Sequence, residues 1–419
     1  MPEFNDKSPE TNPGIGIVKP RSLQITTIDL TAYCFLRSWF KYLVDHGFDV
    51  TLATTVQEFR NEIEETGAKV VHIPIARNVN PISDFISLIN LYKFMKKEKF
   101  QSVQTYTTKA GFIGRLAAKL AGVPIIIHNI LELPQNSTNN PVLKFLYKKM
   151  EQTAANWADH IITTTQPNKR QILKNKIVTP DRLTAVPEGI AVEKYESVKA
   201  DVIQKRNEFG IPDGSVMVGT VARLEAAKGH TYLLDAIKII LDRLDNGEAR
   251  LPESAMQSKE ETGKHGIYFV IVGKGKLRPT LEKKAKDLGI IDNVKFTGFR
   301  NDMLEILQSL DLFVLPSLWE GQGVVIMEAL AYKKPVVVSE VGGVVDVVED
   351  GVSGILVPAM DPRALADKIL ETLQDPQKMR EMGEAGYERM KKEFRDSDMN
   401  DRRFEVYRKL YNEKLNMII

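Results

Sequence analysis

The stretch DLFVLPSLWEGQGVVIMEALAYKKPVVVSEVGGVVDVVEDGVSGILVP, residues 311–358, decides how the chain folds. It opens with a short apolar run at 312–315, passes through a turn with two glycines and a carboxylate at 316–323, and enters a helical run at 324–332. A second apolar strand, a second glycine turn and another short helical run follow. Repetition of strand, glycine turn and helix is typical of a parallel α/β sheet. The turns of such a sheet lie at the carboxyl ends of its strands, where open sheets bind ligands.

The first of these turns leads to two carboxylates. Glu320 follows the strand, and Glu328 comes eight positions later, inside the helix. An ionised carboxylate accepts two hydrogen bonds at once, which is what a vicinal diol on a ribose or a hexose requires. Gly321 and Gly323 let the backbone approach a ligand closely, and the free N–H groups of the helix start suit a diphosphate. One anion site flanked by two diol acceptors describes a site for a sugar nucleotide.

The residues around this turn also carry a resemblance to a known family. Seven residues separate Glu320 from Glu328, and the runs that follow are Ala-Leu-Ala at 329–331, Pro-Val-Val-Val at 335–338 and Val-Gly-Gly at 341–343. This pattern resembles the retaining glycosyltransferases of the GT-B fold, family 4. The resemblance implies that Glu320 binds hydroxyls of the donor sugar and that Glu328 binds the donor ribose.

Two cations stand at another strand-to-helix junction. Arg223 follows the strand pattern at 216–222, and Lys228 directly precedes the helix pattern at 229–244. Both would face the same crevice as the Glu320 turn, where a departing diphosphate needs positive charge. The arrangement is similar to the family's pairing of an Arg after this strand with a Lys five residues on. We therefore expect Arg223, Lys228 and Glu320 to be the catalytic residues.

The resemblance also identifies residues that would bind the donor. The run Gly-Phe-Arg at 298–300 follows a strand and matches a loop of the family that borders the nucleobase, mostly through backbone groups. The expected donor-binding residues are Gly298, Phe299, Arg300, Gly321, Gln322, Gly323, Val324 and Glu328. We expect no cofactor and a nucleotide-diphosphate sugar, a UDP-sugar first of all, as co-substrate. Backbone contacts leave the base and the sugar themselves open.

No metal site is expected. The Asp-x-Asp triplet, a pattern that metal-dependent transferases use, occurs at 396–398, in a charged helical tail with no strand before it. The sequence also has no cluster of His and Cys at the spacing of metal ligands.

The composition is that of a soluble globular enzyme. The 419 residues are 43% hydrophobic and carry a formal net charge of +2, which argues against a nucleic-acid-binding protein. Cys34 is the single cysteine, so no intrachain disulfide can form and a reducing cytoplasm is the expected compartment. The start of the chain lacks the apolar core of a signal peptide, and no apolar run approaches the roughly 18 residues of a transmembrane helix. We expect a cytoplasmic protein that could work at the inner face of the cytoplasmic membrane.

Alternating strand and helix patterns divide the chain into two halves. The predicted fold is α/β of the GT-B type, with two Rossmann-like domains whose parallel sheets face a central cleft. The expected segments are a flexible tail (1–20), an N-terminal acceptor domain (21–190), a linker (191–209), a C-terminal donor domain (210–385) and C-terminal helices that pack back on the N-terminal domain (386–419). Residues 246–266 break the pattern and are interpreted as an exposed insertion.

The resemblance is partial in the N-terminal half. The turn at 27–31 lacks the Gly-Gly pair that many relatives place beside the donor diphosphate. Other runs resemble a bacterial branch that builds surface glycans, and this branch often has a His-Gly pair where the present chain has Leu131 and Glu132. His128, three residues earlier, is expected to be a structural residue. Glu132 and Asp29 are the candidates for contacting the acceptor.

The branch implies a reaction and an acceptor. We expect transfer of a hexose, with retention, from a sugar nucleotide to a glycan or a polyprenyl-diphosphate-linked acceptor in surface polysaccharide synthesis. Aromatic residues and lysines at 91–97 and 143–149 would suit peripheral membrane contact, although amphipathic helices packed on a sheet have the same composition. Two alternatives stay open, a non-catalytic sugar-nucleotide-binding scaffold and a GT-B phosphorylase or epimerase.

Overall fold

The computed structural model describes residues 19–76, 80–133, 140–256 and 266–419. The predicted N-terminal tail lies outside the described residues up to residue 18, and so do residues 257–265 of the predicted insertion. The described residues form two compact units, one that ends at residue 127 and also includes Ile419, and one from residue 128 to residue 418.

The first unit contains parallel strands and the helices that connect them. Its strands are β1 (Arg21–Ile25), β2 (Asp49–Thr54), β3 (Lys69–His72) and β4 (Ser102–Thr105). Its helices are α1 (Asp29–Phe35), α2 (Arg37–Asp45), α3 (Arg60–Glu64), α4 (Pro81–Glu98) and α5 (Thr108–Ala121). Strand β1 pairs in parallel with both β2 and β4. Because parallel neighbours require a crossover, helices separate these strands in the sequence.

The second unit begins within the next strand of the same sheet. The remaining strands of this sheet are β5 (Ile125–Ile130), β6 (His160–Thr163) and β7 (Leu183–Ala185). The helices of this part are α6 (Pro141–Ala155), α7 (Gln166–Lys174), α8 (Val192–Ser197) and α9 (Val202–Glu208). The sheet has seven strands in the order β3-β2-β1-β4-β5-β6-β7.

A second parallel sheet lies wholly within the second unit. Its strands are β8 (Val216–Val221), β9 (Ile267–Val272), β10 (Val294–Gly298), β11 (Leu312–Leu315), β12 (Val336–Ser339) and β13 (Ile355–Val357). The helices are α10 (His230–Asp245), α11 (Arg278–Asp287), α12 (Met303–Ser309), α13 (Val324–Ala331), α14 (Val344–Val347), α15 (Pro362–Leu373), α16 (Pro376–Glu393) and α17 (Asp396–Leu415). The strand order is β10-β9-β8-β11-β12-β13. The order reverses between β8 and β11, which is where open α/β sheets place their ligands.

Both faces of this second sheet are covered by helices. Val337 of β12 packs in one hydrophobic cluster, while Val336 and Val338 pack in the cluster on the other side. Side chains alternate across a strand, so a strand buried on both faces needs an unbroken apolar run. The run of three valines in β12 meets that need.

Several helices begin at an Asn or Asp followed by Pro. The caps are Asn80 of α4, Asn140 of α6, Asp361 of α15 and Asp375 of α16, and each side chain accepts a backbone N–H of the first turn. Proline suits the next position because its missing N–H would have no partner within the helix. The sequence therefore fixes these four helix starts locally.

The predicted α/β fold with two parallel sheets is confirmed, and the predicted strands lie within about two residues of those observed. The helix predicted at 36–47 is confirmed as α2, and the chain also forms α1, a helix before it that was not predicted. Helices α8 and α9 occupy the segment that we interpret as the linker. The domain boundaries themselves stay predictions.

Candidate active site

The turn between β11 and α13, residues 316–323, is the centre of the candidate site, and we call it the donor turn. It ends at Gly323, whose φ of +80° lies in the left-handed region that favours glycine. No side chain caps the start of α13. The first N–H groups of an uncapped helix carry partial positive charge and attract anions. The donor turn therefore ends in a suitable position for a phosphate group.

A buried ion pair connects the donor turn to Lys228, the residue before Gly229 and α10. Lys228 Nζ lies 2.5 Å from Glu320 Oε2, and Ser317 Oγ donates to the same oxygen at 3.0 Å. Only 14% of the Lys228 side chain and 11% of the Glu320 side chain are exposed. Charge-assisted hydrogen bonds are stronger than neutral ones and hold both groups in a fixed geometry. The structure thus brings together two of the three predicted catalytic residues.

Two glycines allow neighbouring loops to approach the donor turn. A Cβ on Gly229 would lie 1.8 Å from the Pro316 carbonyl oxygen, and a Cβ on Gly342 would lie 1.8 Å from the Glu320 carbonyl oxygen. Their φ angles are +67° and +54°. Any other residue would therefore be strained at either position and would force the loops apart.

Glu328 lies on α13, where burial and one hydroxyl group determine the environment of its carboxyl group. Its Oε1 accepts a hydrogen bond from the Tyr195 hydroxyl at 3.1 Å. Burial raises the pKa of Glu328 to about 7, and burial together with the neighbouring Glu328 raises the pKa of Tyr195. Glu328 is therefore close to half ionised near neutral pH.

Gln322 bonds a backbone segment away from the donor turn. Glu188 N–H donates to Gln322 Oε1 at 2.8 Å, and Gln322 Nε2 donates to the Glu188 carbonyl oxygen at 3.0 Å. The Nε2 group also lies 3.3 Å from Met327 Sδ. The side chain of Gln322 is thus engaged within the protein, and the predicted role of this residue in donor binding stays a prediction. Its backbone, with those of Gly321, Gly323 and Val324, forms the end of the donor turn.

Among the described residues, the ion pair of Arg223 is with a neighbouring carboxylate and not with Glu320. Its guanidinium lies 2.9 Å from Glu225 Oε2, and 59% of the side chain is exposed. Exposed ion pairs of this kind contribute about 0 to 1 kcal/mol, so Arg223 is held weakly. Its role in binding phosphate stays a prediction.

The predicted nucleobase loop is exposed. Gly298 has a φ of +78°, and the Phe299 ring is 60% exposed with Lys274 Nζ 5.0 Å from its centroid. Arg300 forms two hydrogen bonds to Asp302, at 2.7 and 2.6 Å. The ring of Phe299 is therefore accessible to a ligand, whereas Arg300 is engaged in a surface ion pair.

Glu132 lies near the donor turn at the end of β5. Burial, and secondly the charge of Glu320, raise the pKa of Glu132 to about 7. Its Oε1 is buried and has no hydrogen-bond partner among the described residues. The neighbouring Leu131 carbonyl oxygen would lie 4.0 Å from a Cβ on Gly321. The segment after β5 thus presents a carboxyl group near Glu320.

Asp29 and His128 each have a structural partner. Asp29 is buried at the start of α1, and its Oδ2 accepts the Phe59 N–H at 2.8 Å. His128 is buried on β5, with Nε2 3.8 Å from Glu151 Oε1. Burial of His128 agrees with the structural role expected for it.

The described residues contain no group of three or more His, Cys, Asp or Glu side chains that could hold a metal ion. In the same part of the chain, none of the helices has the length and apolar character needed to cross a membrane.

Comparison with known sequences places the chain in a family. The family described as Glycosyltransferase Family 4 matches residues 35–194, and the one described as Glycosyl transferases group 1 matches residues 201–389. The UDP-Gal:alpha-D-GlcNAc-diphosphoundecaprenol alpha-1,3-galactosyltransferase of Escherichia coli is 30% identical, over 80% of this chain and 83% of its own. The capsular polysaccharide biosynthesis glycosyltransferase CapM of Staphylococcus aureus is 25% identical, over 86% of this chain and 89% of its own.

Solved structures agree on the fold. HepE of Anabaena, determined in complex with UDP and glucose, superposes with a TM-score of 0.76 at 19% identity and covers 93% of this chain and 99% of its own. The two parallel sheets, together with these matches, define a glycosyltransferase of the GT-B fold. The chain belongs to glycosyltransferase family 4.

Proposed function

We propose that the chain transfers a hexose from a UDP-sugar to a glycan or polyprenyl-diphosphate-linked acceptor, with retained anomeric configuration, in surface polysaccharide synthesis. The observation that carries this proposal is the buried pair between Lys228 and Glu320 of the donor turn, followed by Glu328 on α13. The name of the Escherichia coli relative contains a UDP-sugar donor and a diphosphoundecaprenol-linked acceptor, and HepE was solved with UDP and glucose. These names support a UDP-sugar as the donor and a lipid-linked sugar as the acceptor of the present chain.

In this proposal each group of the site contacts one part of the donor. The uncapped N–H groups of α13 and the Lys228 ammonium bind the diphosphate, and Lys228 stabilises the charge that develops as it leaves. Glu320 accepts hydrogen bonds from the sugar and Glu328 from the ribose. Because Arg223 is held only by an exposed pair, it can move to a phosphate at small cost.

Retention follows if bond making and bond breaking occur on one face of the sugar. The acceptor oxygen bonds to the anomeric carbon while the bond from that carbon to the phosphate oxygen breaks. The acceptor proton passes to the departing phosphate oxygen, and UDP is the product. The protein then supplies positioning and charge stabilisation and needs no base of its own.

Glu132 is the proposed acceptor-side group. A buried oxygen without a hydrogen-bond partner costs about 1 to 3 kcal/mol. A hydroxyl of a bound acceptor would remove that cost. Asp29 stays a candidate on sequence grounds, with one of its carboxylate oxygens bonded to Phe59.

Glu328→Gln is expected to weaken the binding of UDP-sugars at pH 8 and to flatten its pH dependence. Ionised Glu328 accepts two hydroxyl hydrogens, whereas the glutamine amide oxygen is not charged. With a pKa of about 7, Glu328 in the wild type is mostly protonated at pH 6 and mostly ionised at pH 8. Donor affinity should therefore rise about tenfold between these pH values. Thermal stabilisation by a panel of nucleoside diphosphates and their sugars measures the effect, because a ligand at 100 times its Kd stabilises by about 2.7 kcal/mol.

The control for this experiment is Glu371→Gln, which alters an exposed carboxylate of α15. It should leave both the affinity and its pH dependence unchanged. If no nucleotide stabilises the wild type, the proposed donor site is wrong. If the wild type transfers sugar but NMR of the product shows an inverted anomeric centre, the proposal of retention is wrong.

Helix α6 presents apolar side chains to solvent at its start. The exposed apolar residues are Val142, Leu143, Phe145 and Leu146, at 41% to 64%. The lysines beside them are Lys144, Lys148 and Lys149, and residues 141–150 include no acidic residue. In the other candidate stretch, Leu91 and Met95 of α4 are buried. We propose that α6 contacts the anionic membrane surface that holds the lipid-linked acceptor.

Replacing Phe145 and Leu146 together with serine is expected to weaken binding to phosphatidylglycerol-containing vesicles by about 100-fold, because each side chain loses apolar burial. Vesicle co-sedimentation measures this. A matched control replaces Ile203 and Val352 with serine. These two residues lie elsewhere in the second unit and are 64% and 49% exposed. Equal vesicle binding by the two double variants would contradict the contact. So would equal binding of the wild type to neutral vesicles and to vesicles that contain phosphatidylglycerol.

A further inference from the structure

The side chain of Gln322 occupies an unusual place in the donor turn. It stands between Gly321 and Gly323, two residues that restrict the backbone little. The side chain itself is 5% exposed and forms a reciprocal pair of hydrogen bonds with the backbone of Glu188, 134 positions earlier. One amide therefore fixes a turn that its flanking residues would leave free.

The segment that receives these bonds is itself well anchored. Ile190 N–H donates to the Phe394 carbonyl oxygen at 2.8 Å, and Asp396 N–H donates to the Ile190 carbonyl oxygen at 3.1 Å. A Cβ on Gly189 would lie 2.4 Å from Asp396 Cα, so the backbones are in close contact. Residues 188–190 thus run against the start of α17.

The side chain of Glu188 adds a charged contact to this anchor. Its Oε2 lies 3.4 Å from Arg403 Nη2 on α17, and 12% of the Glu188 side chain and 3% of the Arg403 side chain are exposed. A continuous set of contacts therefore leads from the donor turn through Gln322 and Glu188 to α17.

We infer that Gln322 is a positioning residue, which holds the donor turn against this anchored segment so that Glu320 and the start of α13 are preformed for the donor. The inference rests on the proposed function for its effect on the reaction. Both hydrogen-bonding ends of the amide are already engaged. Gln322 therefore acts through the geometry of the turn, and prior ordering of a catalytic loop increases the rate because less order must be gained on binding.

Two substitutions separate this role from a general effect on stability. Gln322→Met keeps the length of the side chain and removes both bonds, and it should lower kcat/KM for the donor by about 10- to 30-fold. Gln322→Glu keeps an acceptor, but only its protonated form can also donate to the Glu188 carbonyl oxygen. Burial favours that neutral form. The activity of Gln322→Glu relative to wild type should therefore rise about tenfold as the pH falls from 8 to 6.

The matched control is Gln308→Met. Gln308 Nε2 donates to the Val198 carbonyl oxygen at 3.1 Å, and its Oε1 accepts the Ala200 N–H at 2.5 Å. The control therefore removes a similar reciprocal pair from α12 and should leave kcat/KM unchanged. Wild-type kcat/KM in Gln322→Met, an equal loss in Gln308→Met, or a pH-independent ratio for Gln322→Glu would overturn the inference.

Hydrogen exchange distinguishes failure of this inference from failure of the proposed function. The hydrogen-bonded amides of Leu318, Ile326 and Gly343, which lie in the donor turn or donate to it, should exchange at least tenfold faster in Gln322→Met than in wild type or Gln308→Met. That comparison requires no substrate. If the wild type binds no nucleotide, the proposed function fails, and the exchange rates alone then decide whether Gln322 orders the turn; unchanged rates would refute it.

Discussion

Lys228→Met is expected to lower kcat for sugar transfer by about 1,000-fold, while KM for the donor changes by less than tenfold. Lys228 Nζ lies 2.5 Å from Glu320 Oε2 of the donor turn, and both side chains are largely buried. In the proposed reaction the charge on the diphosphate grows as the sugar leaves, and a fixed cation stabilises the transition state more than the ground state. Removing it should therefore affect kcat more than KM.

The same substitution also leaves the Glu320 carboxylate without its cation, which can cost about 3 to 5 kcal/mol of stability. The double variant Lys228→Met/Glu320→Gln removes that unpaired charge. We expect it to regain most of the lost stability and none of the activity. Lys238→Met breaks an exposed ion pair to Asp242 on α10 and should leave kcat unchanged. Recovery of transfer in the double variant would show that Lys228 acts only by neutralising Glu320.

The fold and the positions of the chemical groups could be predicted because local patterns determine them. The apolar run of β11 and the glycines of the donor turn place Glu320 and Glu328 without knowledge of the rest of the chain. The same holds for Lys228, which directly precedes Gly229 and α10. Short elements were harder, and β13, with three residues, was not predicted.

The partners of the site residues could not be predicted, because they come from distant segments. Tyr195 lies 133 positions from Glu328, in a segment with no recognisable motif, and Glu188 lies 134 positions from Gln322. Nothing local shows that the Gln322 amide is engaged inside the protein. Arg223 differs from these residues because its partner is close in the sequence: the carboxylate that it contacts belongs to Glu225, two residues on. A sequence pattern predicts on which helix, strand or turn a side chain lies, but it does not predict the direction in which that side chain points.

Gly229→Ala is expected to destabilise the second unit by about 3 kcal/mol or more and to abolish transfer. Two costs combine at this position. The φ of +67° is unfavourable for alanine by about 1 to 2 kcal/mol. The new Cβ would also lie 1.8 Å from the Pro316 carbonyl oxygen, and relieving such an overlap costs about 1 to 3 kcal/mol. The melting temperature should fall by about 10 °C.

Gly247→Ala isolates the first of these costs, the backbone strain. Gly247 has a φ of +73°, nearly that of Gly229, but a Cβ there would meet no atom within 4 Å. It should therefore show the backbone strain alone, about 1 to 2 kcal/mol, with full activity. The difference between the two variants measures how closely the loop at 226–229 packs on the donor turn, where Leu318 N–H also donates to the Ala227 carbonyl oxygen at 2.8 Å. If Gly229→Ala has the same melting temperature as Gly247→Ala and remains active, the two loops can separate freely. The Lys228–Glu320 pair then does not depend on their contact.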